Sequence, residues 1–328
     1  MEFLAEKQVE QYVARIGELV QSNRVSVQRF SGGVSGLVWK VTAGGEKWVL
    51  KQALGKLDVA EDWFADVGRI EREQQAMRFL EPMMPDGSVP RVVHSDAINH
   101  VFMMTCAPEE ATSWKKRLME GEFQPDVARN AGLLLRAMHE NSRRLAGQAQ
   151  QEAFGDMTYF RELRIDPFHR HLIGKYQELG PELEALIGDL EENRNCLVHG
   201  DFSPKNMLVD DNQRVILLDY EVAHWGNPVF DLAFLLAHLL LKGWVLGKQA
   251  DALRLMERFL EAYDFNQETD ARLIGHTGAL LLSRIDGKST VGYVKEQKLK
   301  ELVRRTAMDW IRHPADEAVA NLREAMKG

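Results

Sequence analysis

Cysteine is scarce in this chain of 328 residues, which contains only Cys106 and Cys196. Both lie in apolar runs, so we expect buried free thiols rather than a disulfide or a metal site. No secretory signal peptide is recognisable at the start, because residues 1–20 alternate between polar and apolar side chains. Together these features favour a reducing, cytoplasmic setting.

Basic residues and long hydrophobic runs are also in short supply. The chain has 41 Lys and Arg against 49 Asp and Glu, a net charge of −8. This balance argues against nucleic-acid or membrane-surface binding, because both need basic fields. The longest apolar run, residues 229–241, is interrupted by Asp231 and His238 and is too short to cross a membrane. We therefore expect no nucleic-acid or membrane partner, while the oligomeric state stays open.

Residues that can carry chemistry concentrate between positions 197 and 221. His199 and Asp201 precede a short apolar run, and Asn206 follows Asp201 by five positions. A polar turn then separates two apolar runs, which predicts a β-hairpin with Asp219 directly after it. In kinases a loop Asp is the base, and an Asn five positions later and an Asp beyond the next strand hold magnesium. The spacing therefore predicts phosphoryl transfer, with Asn206 and Asp219 as ligands of Mg²⁺.

A sequence such as His199-Gly200-Asp201 can also be a plain turn in which the aspartate only caps a strand. That alternative weakens because Asn206, Asp219 and an upstream lysine occur in kinase order. A second segment, residues 226–233, reads Gly-Asn-Pro-Val-Phe-Asp-Leu-Ala. With the first, it resembles the aminoglycoside phosphotransferase, choline kinase and methylthioribose kinase superfamily.

The resemblance implies an α+β fold of the bilobal protein-kinase type. A nucleotide-binding lobe of sheet plus helix would span residues 1–105, and a mostly helical catalytic and acceptor-binding lobe would span residues 106–328. The implied function is ATP- and Mg²⁺-dependent transfer of the γ-phosphate to a hydroxyl of a small molecule. The resemblance also implies that Asp201 is the base, that His199 orients the loop, and that Asp231 accepts hydrogen bonds from backbone N–H groups. Lys205 either contacts the transferring phosphate or is simply exposed.

A glycine-rich turn in the predicted small lobe is a candidate phosphate site. Strands are predicted at 25–30, 37–42 and 47–52. In the turn between the first two strands, the backbone N–H groups of four candidate residues could cover a triphosphate: Ser31, Gly32, Gly33 and Ser35. Such a hairpin is more often structural, and the Gly-x-Gly-x-x-Gly spacing is absent. The pattern alone therefore indicates little.

Lys51 is the predicted phosphate-binding lysine, although an exposed lysine on an edge strand is the alternative. Glu73 on a predicted helix at 67–80 is the better candidate for its partner, and Glu71 is the alternative. In kinases the adenine pairs with backbone groups of the interlobe hinge, which we assign to Met104, Thr105, Cys106 and Ala107. Further helices are predicted at 4–20, 127–139, 185–190, 231–244, 250–263, 271–285 and 294–312.

The acceptor site is the least specified part. A polar cluster follows an apolar helix and contains Arg284, Asp286 and Lys288; the alternative is a helix end with Gly287 as cap. Other candidates for acceptor contacts are Glu221, Trp225, His224, Arg164 and Asp166; Glu221 could instead assist a second metal or pair with a basic residue. A cationic acceptor calls for carboxylates or an aromatic cage, whereas this cluster offers cations.

We therefore expect a neutral or anionic acceptor, sugar-like or a hydroxy acid. Residues 51–54 and the segment around Trp63 resemble methylthioribose kinase, so a methylthioribose-like acceptor fits. Rival functions are an aminoglycoside or choline-type kinase, a protein kinase, and a pseudokinase-like nucleotide-binding module. Only eleven residues separate Asp219 from Asp231, which leaves no room for an activation loop.

Overall fold

A five-stranded antiparallel sheet forms the core of the N-terminal part. The computed structural model describes residues 5–16, 25–30, 36–55, 66–267 and 272–327. The strands of this sheet are β1 (Val25–Arg29), β2 (Gly36–Ala43), β3 (Glu46–Ala53), β4 (Val92–Asp96) and β5 (Val101–Thr105). They lie in the order β1-β2-β3-β5-β4. β2 and β3 form the predicted hairpin, in which Gly44 and Gly45 both adopt positive φ (60° and 88°).

One helix covers each face of this sheet. Helix α1 (Glu6–Val13) packs on one face, where Trp39, Leu50 and Met103 are buried. Helix α2 (Arg69–Leu80) packs on the opposite face, in a second cluster of buried apolar residues that includes Phe102. Successive residues of β5 divide between the two clusters, as the two-residue period of a strand requires. The sheet therefore holds β3, which carries Lys51, firmly between two packed layers.

The remainder is mostly helical, as expected for the larger lobe. Its helices are α3 (Trp114–Met119), α4 (Pro125–Leu145), α5 (Gln148–Ala153), α6 (Thr158–Phe160), α7 (His171–Lys175), α8 (Gly180–Glu192), α9 (Val229–Leu246), α10 (Gln249–Tyr263), α11 (Leu273–Asp286), α12 (Gln297–Arg312) and α13 (Ala318–Ala325). Between α6 and α7 the chain forms a π-helix, Arg161–Arg170. Short 3₁₀ turns occur at Glu81–Met83, Gln177–Leu179 and Pro204–Asn206. The α+β bilobal prediction is confirmed, and we propose that the lobes meet just after Thr105.

Five short strands in this lobe position the loops of the site. They are β6 (Thr112–Ser113), β7 (Cys196–Val198), β8 (Met207–Val209), β9 (Val215–Leu217) and β10 (His224–Gly226). β6, β8 and β9 form one small sheet, and β7 pairs with β10 in another.

Helix α9 is the centre of the large lobe. Its length and apolar composition would suit a membrane span, but 83% of it is buried inside the protein, as in a core helix. Its neighbours α10 and α11 contribute apolar residues to the same core cluster. This confirms the prediction of a helix buried on all sides over 231–244.

Most predicted elements are present, but their ends differ. Helix α4 runs six residues beyond the predicted end at 139, and α8 begins five residues before the predicted start at 185. The sequence at 89–93 predicts the start of a further strand, and β4 begins at Val92. Residues 17–20 of the predicted first helix lie outside the described residues. Cys196 is buried as expected, whereas Cys106 is partly exposed; both are free thiols.

Candidate active site

The predicted hairpin forms and carries the catalytic loop at its base. β8 and β9 pair antiparallel, with Met207 opposite Leu217. The Leu218 N–H donates to the Asn206 carbonyl at 2.9 Å, which extends the pairing by one step. Asn206 and Asp219 are therefore brought together at the open end of the hairpin, as the sequence predicts.

A buried carboxylate fixes the loop that enters this hairpin. Asp231, at the start of α9, accepts the backbone N–H of His199 at 2.7 Å and that of Gly200 at 2.8 Å. His139 Nε2 lies 3.2 Å from the same carboxylate, and its Nδ1 lies 3.0 Å from the Tyr263 hydroxyl. The expectation that Asp231 accepts backbone N–H bonds is confirmed. Burial of a charge is tolerated here because several donors compensate it.

Gly200 is required by the geometry of this loop. Its φ is 76°, in the left-handed region that favours glycine. A Cβ built there would lie 2.9 Å from Val222 Cγ2 and 3.0 Å from the Val222 carbonyl oxygen. The Gly of the His-Gly-Asp segment thus lets the loop pass close to the chain that follows Asp219.

His199 braces the loop through both ring nitrogens. Its Nδ1 accepts the backbone N–H of Asp201 at 3.1 Å, and its Nε2–H donates to the Leu218 carbonyl at 3.0 Å. The ring is fully buried, and burial lowers its pKa despite the nearby carboxylates. A neutral ring with the proton on Nε2 satisfies both bonds. These contacts agree with the predicted orienting role.

Asp201 has one carboxylate oxygen paired and one without a hydrogen bond from the described residues. Arg164 Nη2 lies 3.0 Å from Asp201 Oδ2, and Arg164 Nε donates to the Gly200 carbonyl at 2.7 Å. Asn206 Nδ2 donates to the Asp201 main-chain carbonyl at 3.0 Å. The side chain of Asp201 remains 17% exposed. The carboxylate is therefore oriented, and it can still accept a proton from an approaching hydroxyl.

Lys51 is part of a buried ion-pair network and is not a surface lysine. Its Nζ lies 2.7 Å from Glu73 Oε2 and 2.6 Å from Asp219 Oδ1. Glu73 is buried and Glu71 is exposed, so the structure resolves the choice between them in favour of Glu73. The contact with Asp219 connects the sheet of the small lobe to the hairpin of the large lobe.

The network determines the charge of its members. Burial alone would raise the pKa of Asp219, but Lys51 and Lys205 outweigh that effect and hold it well below its ordinary value. Burial alone would likewise lower the pKa of Lys51, but Asp219, Glu73 and Glu221 raise it. Lys51 is therefore a cation and Asp219 an anion at neutral pH.

The donor set at the end of the hairpin suits a hard cation such as Mg²⁺. Asn206 uses its amide nitrogen for Asp201, and its Oδ1 accepts no hydrogen bond from the described part of the chain. Asp219 bonds Lys51 through Oδ1 only, so Oδ2 is likewise available. One amide and one carboxylate oxygen beside a phosphate are what magnesium requires from a protein. The two residues therefore fit the predicted metal role.

The predicted hinge extends across the end of β5. Met104 and Thr105 are the last residues of β5, and the Thr105 N–H is already bonded to the Arg91 carbonyl. Cys106 and Ala107 follow the strand, and their backbone groups bond no other residue in the ranges given above. They are thus the hinge residues with backbone groups available for a base. Ser31, Gly32, Gly33 and Ser35 lie outside the described residues, as does Trp63.

Glu221 pairs with a basic residue, one of the two possibilities left open. Arg69 Nε lies 3.1 Å from Glu221 Oε2, and the same guanidinium donates to the carbonyls of Asp66 and Leu54. Burial and the nearby Asp219 raise the pKa of Glu221. This residue therefore ties α2 to the segment after the hairpin, and nothing assigns it to the acceptor.

Several residues proposed for the acceptor are engaged elsewhere. Asp286 is bound by Lys175, Tyr176 and Arg304, at 2.7–3.0 Å, so it joins α7, α11 and α12. Trp225 is buried in the core, where β10 pairs with β7. For both, the contacts favour a structural role, because each side chain is occupied by packing or ion pairing.

The surroundings of three other acceptor candidates likewise favour structural or surface roles. His224 is buried, stacks on Phe160 with ring centroids 4.0 Å apart, and has its pKa lowered by burial to about 4. Asp166 pairs with Arg170 on the surface, and Lys288 is exposed. Gly287 does follow the end of α11, which bears out the helix-end interpretation of this segment.

Arg284, by contrast, lies close to the catalytic carboxylate. Its guanidinium stacks over Phe168 (4.3 Å) and Phe234 (5.0 Å), the same two rings that carry the guanidinium of Arg164. Burial and Arg164 lower the pKa of Arg284 to about 10, and the charge of Asp201 partly offsets this. Two stacked arginines therefore flank the proposed base.

The fold and this site define a small-molecule phosphotransferase with a kinase-like architecture. Residues 26–275 match the model of the "Phosphotransferase enzyme family", and the chain belongs to that family.

Named relatives agree with this family. A methylthioribose kinase of Exiguobacterium sibiricum is 25% identical over 246 residues, which cover 67% of this chain and 62% of that protein. The chain thus spans less than two thirds of that relative. Among solved structures, an amicoumacin kinase has a TM-score of 0.57 at 15% identity, with 94% of this chain and 96% of that chain covered. The choline kinase of Streptococcus pneumoniae has a TM-score of 0.55 at 15% identity, covering 93% of this chain and 99% of that one.

Proposed function

We propose that this protein transfers the γ-phosphate of ATP to a hydroxyl of a small polar metabolite, in a cytoplasmic setting. The observation that carries the proposal is the joint placement of Asp201, Asn206, Asp219 and Lys51 around the base of one hairpin. Support also comes from structurally similar proteins, whose structures include complexes with AMP-PNP and with ADP.

Each side chain has a task in this reaction. Lys51, held by Glu73, binds phosphate oxygens. Asp201 accepts the proton of the acceptor hydroxyl as the new O–P bond forms and the bond between the β–γ bridging oxygen and the γ-phosphorus breaks. Asn206 and Asp219 would hold magnesium, which when bound supplies positive charge to the phosphates. Lys205 is exposed beside them and can contact the transferring group.

The chemistry depends on where the Asp201 carboxylate lies. In a loose transition state the alcohol proton leaves late, so the position of the carboxylate matters more than its basicity. Arg164 and the bonds to the loop backbone supply that position. ADP and a phosphate monoester are the products.

The test is a screen with ATP, Mg²⁺ and a library of hydroxylated metabolites, read by ADP release. Asp201→Asn should lower kcat by about 10²–10⁴-fold, the usual range for a general base, with little change in nucleotide affinity. The matched control is Asp211→Asn, the same substitution at an exposed position of the hairpin turn. Near-normal turnover in Asp201→Asn would refute the assignment. ADP release that no acceptor stimulates would favour a nucleotide-binding module instead.

A further inference from the structure

A buried lysine in the core helix α9 lacks a compensating charge. The side chain of Lys242 is 1% exposed, and its amine bonds only the His238 carbonyl, at 3.3 Å. It lies 5.3 Å from the ring of Tyr293. No carboxylate pairs with it in the described part of the chain. A buried ammonium normally requires such a partner, because its transfer from water is costly.

The groups around Lys242 are also unsatisfied donors or cations. The Tyr293 hydroxyl and His238 Nδ1 are buried without a hydrogen-bond partner among the described residues. Arg284 bonds Ser289 through Nη1 only, which leaves Nε and Nη2 available. We call Lys242, Arg284, Tyr293 and His238 the cationic cluster. Its members come from α9, α11 and the segment after α11, so the fold brings them together.

The cationic cluster adjoins the catalytic loop. Arg284 shares the faces of Phe168 and Phe234 with Arg164, and Arg164 is bonded to Asp201. The charge of Asp201 acts on Arg284, and that of Lys205 acts on His238. The cluster therefore lies within electrostatic range of the carboxylate that would meet the acceptor hydroxyl.

We propose that the cationic cluster binds an anionic group of the acceptor, and that the enzyme phosphorylates a hydroxy acid or sugar acid. This inference rests on the proposed function, which places the reacting hydroxyl at Asp201. Arg284 can donate bidentately, and Lys242 and the Tyr293 hydroxyl supply further donors to the same anion. A cationic acceptor would meet these four positive or donor groups, none of which forms an ion pair with a carboxylate of the described residues.

The first experiment compares acceptors that share hydroxyl groups and differ in charge. Gluconate, glucitol and glucosamine form one such set, and glycerate, glycerol and choline form another. The anionic member should have the highest kcat/KM in each set. Glycerol 3-phosphate tests whether a phosphate replaces the carboxylate. Preference for the neutral or cationic member would overturn the proposal.

The second experiment removes the charge at Lys242. Lys242→Met keeps the length of the side chain, and it should raise the KM for anionic acceptors at least tenfold and lower the ratio of anionic to neutral kcat/KM. Lys248→Met, at an exposed lysine nearby in sequence, is the matched control. Tyr293→Phe removes only the unsatisfied hydroxyl and should act in the same direction. An unchanged ratio of anionic to neutral kcat/KM in both cluster variants would contradict the inference.

A binding measurement separates this inference from the proposed function. Sulfate and gluconate should raise the unfolding temperature of the wild type above that in chloride at equal ionic strength, and Lys242→Met should abolish the difference. The affinity should fall above pH 7, because burial, Lys115 and Arg284 lower the pKa of Lys242 to about 7 and only its protonated form attracts the anion. Tyr293 and His238 are the other titratable groups that face it. If neither anion raises the unfolding temperature, anion binding by the cationic cluster is refuted even if kinase activity is found. If the anions do raise it but Asp201→Asn has near-normal turnover, only the proposed function is refuted.

Discussion

Replacing Asp231 by Asn tests how the catalytic loop is held. The carboxylate accepts three donors: Oδ1 accepts Gly200 N–H, and Oδ2 accepts His199 N–H and faces His139 Nε2. An amide has one acceptor oxygen and one donor nitrogen. In either orientation its NH₂ therefore faces a backbone N–H, and that donor is left without a partner in a site with no solvent exposure.

The expected loss follows from this count. One unsatisfied buried N–H costs about 1–3 kcal/mol, and exchanging charge-assisted bonds for neutral ones costs about 1 kcal/mol more. We expect Asp231→Asn to lower the free energy of unfolding by about 2–4 kcal/mol in urea titrations, a large share of the ~5–15 kcal/mol typical of domains. It should also lower kcat, because the loop shifts Asp201. Asp264→Asn, at an exposed left-handed helix end that tolerates Asn, is the control. Less than about 0.5 kcal/mol of loss in Asp231→Asn would refute the reasoning.

Three other changes test the network and the buried lysine. Asp219→Ala should abolish Mg²⁺-dependent binding of ATP, because it removes a metal ligand and the partner of Lys51; calorimetry showing wild-type affinity would contradict this. Glu73→Gln should weaken kcat/KM for ATP by at least tenfold, whereas Glu71→Gln at the exposed position should not, and equal effects would count against the ion pair. Burial lowers the pKa of Lys242 from 10.5 to about 7, so the folded state binds fewer protons than the unfolded state between these values. Relative to Lys242→Met, the wild type should therefore gain stability as pH rises from 7 to 10, by on the order of 3–5 kcal/mol, and parallel pH profiles in urea would refute it.

The catalytic half of the site could be predicted because its residues are close in sequence. Asp201, Asn206 and Asp219 are fixed by a single hairpin, so local spacing determines their spatial arrangement. Predicting the roles of Lys51 and Glu73 required only that a strand followed by a helix be recognised in the sequence. The choice between Glu73 and Glu71 followed from which face of α2 packs on the sheet, and helix boundaries alone did not determine it.

The acceptor half could not be predicted in the same way, because long-range packing assembles it. Asp286 looked available in sequence, yet Arg304 lies eighteen residues away and Lys175 and Tyr176 more than a hundred. The buried position of Trp225 is likewise determined by strand pairing. In each case the local sequence gives the residue type, but it does not show which partner contacts the side chain.

Lys242 was missed although its sequence context carries a signal. It is a lone lysine in an apolar run that continues from Leu239 to Trp244, and lysine is almost never fully buried without a partner. A helix buried on all sides therefore has to expose such a lysine, pair it, direct it at a ligand, or hold it as a neutral amine. The structure rules out exposure and shows no carboxylate partner within the described ranges, while Arg284 and Tyr293 converge on the same place. A ligand that brings negative charge would favour the protonated amine, whereas without one burial favours the neutral amine.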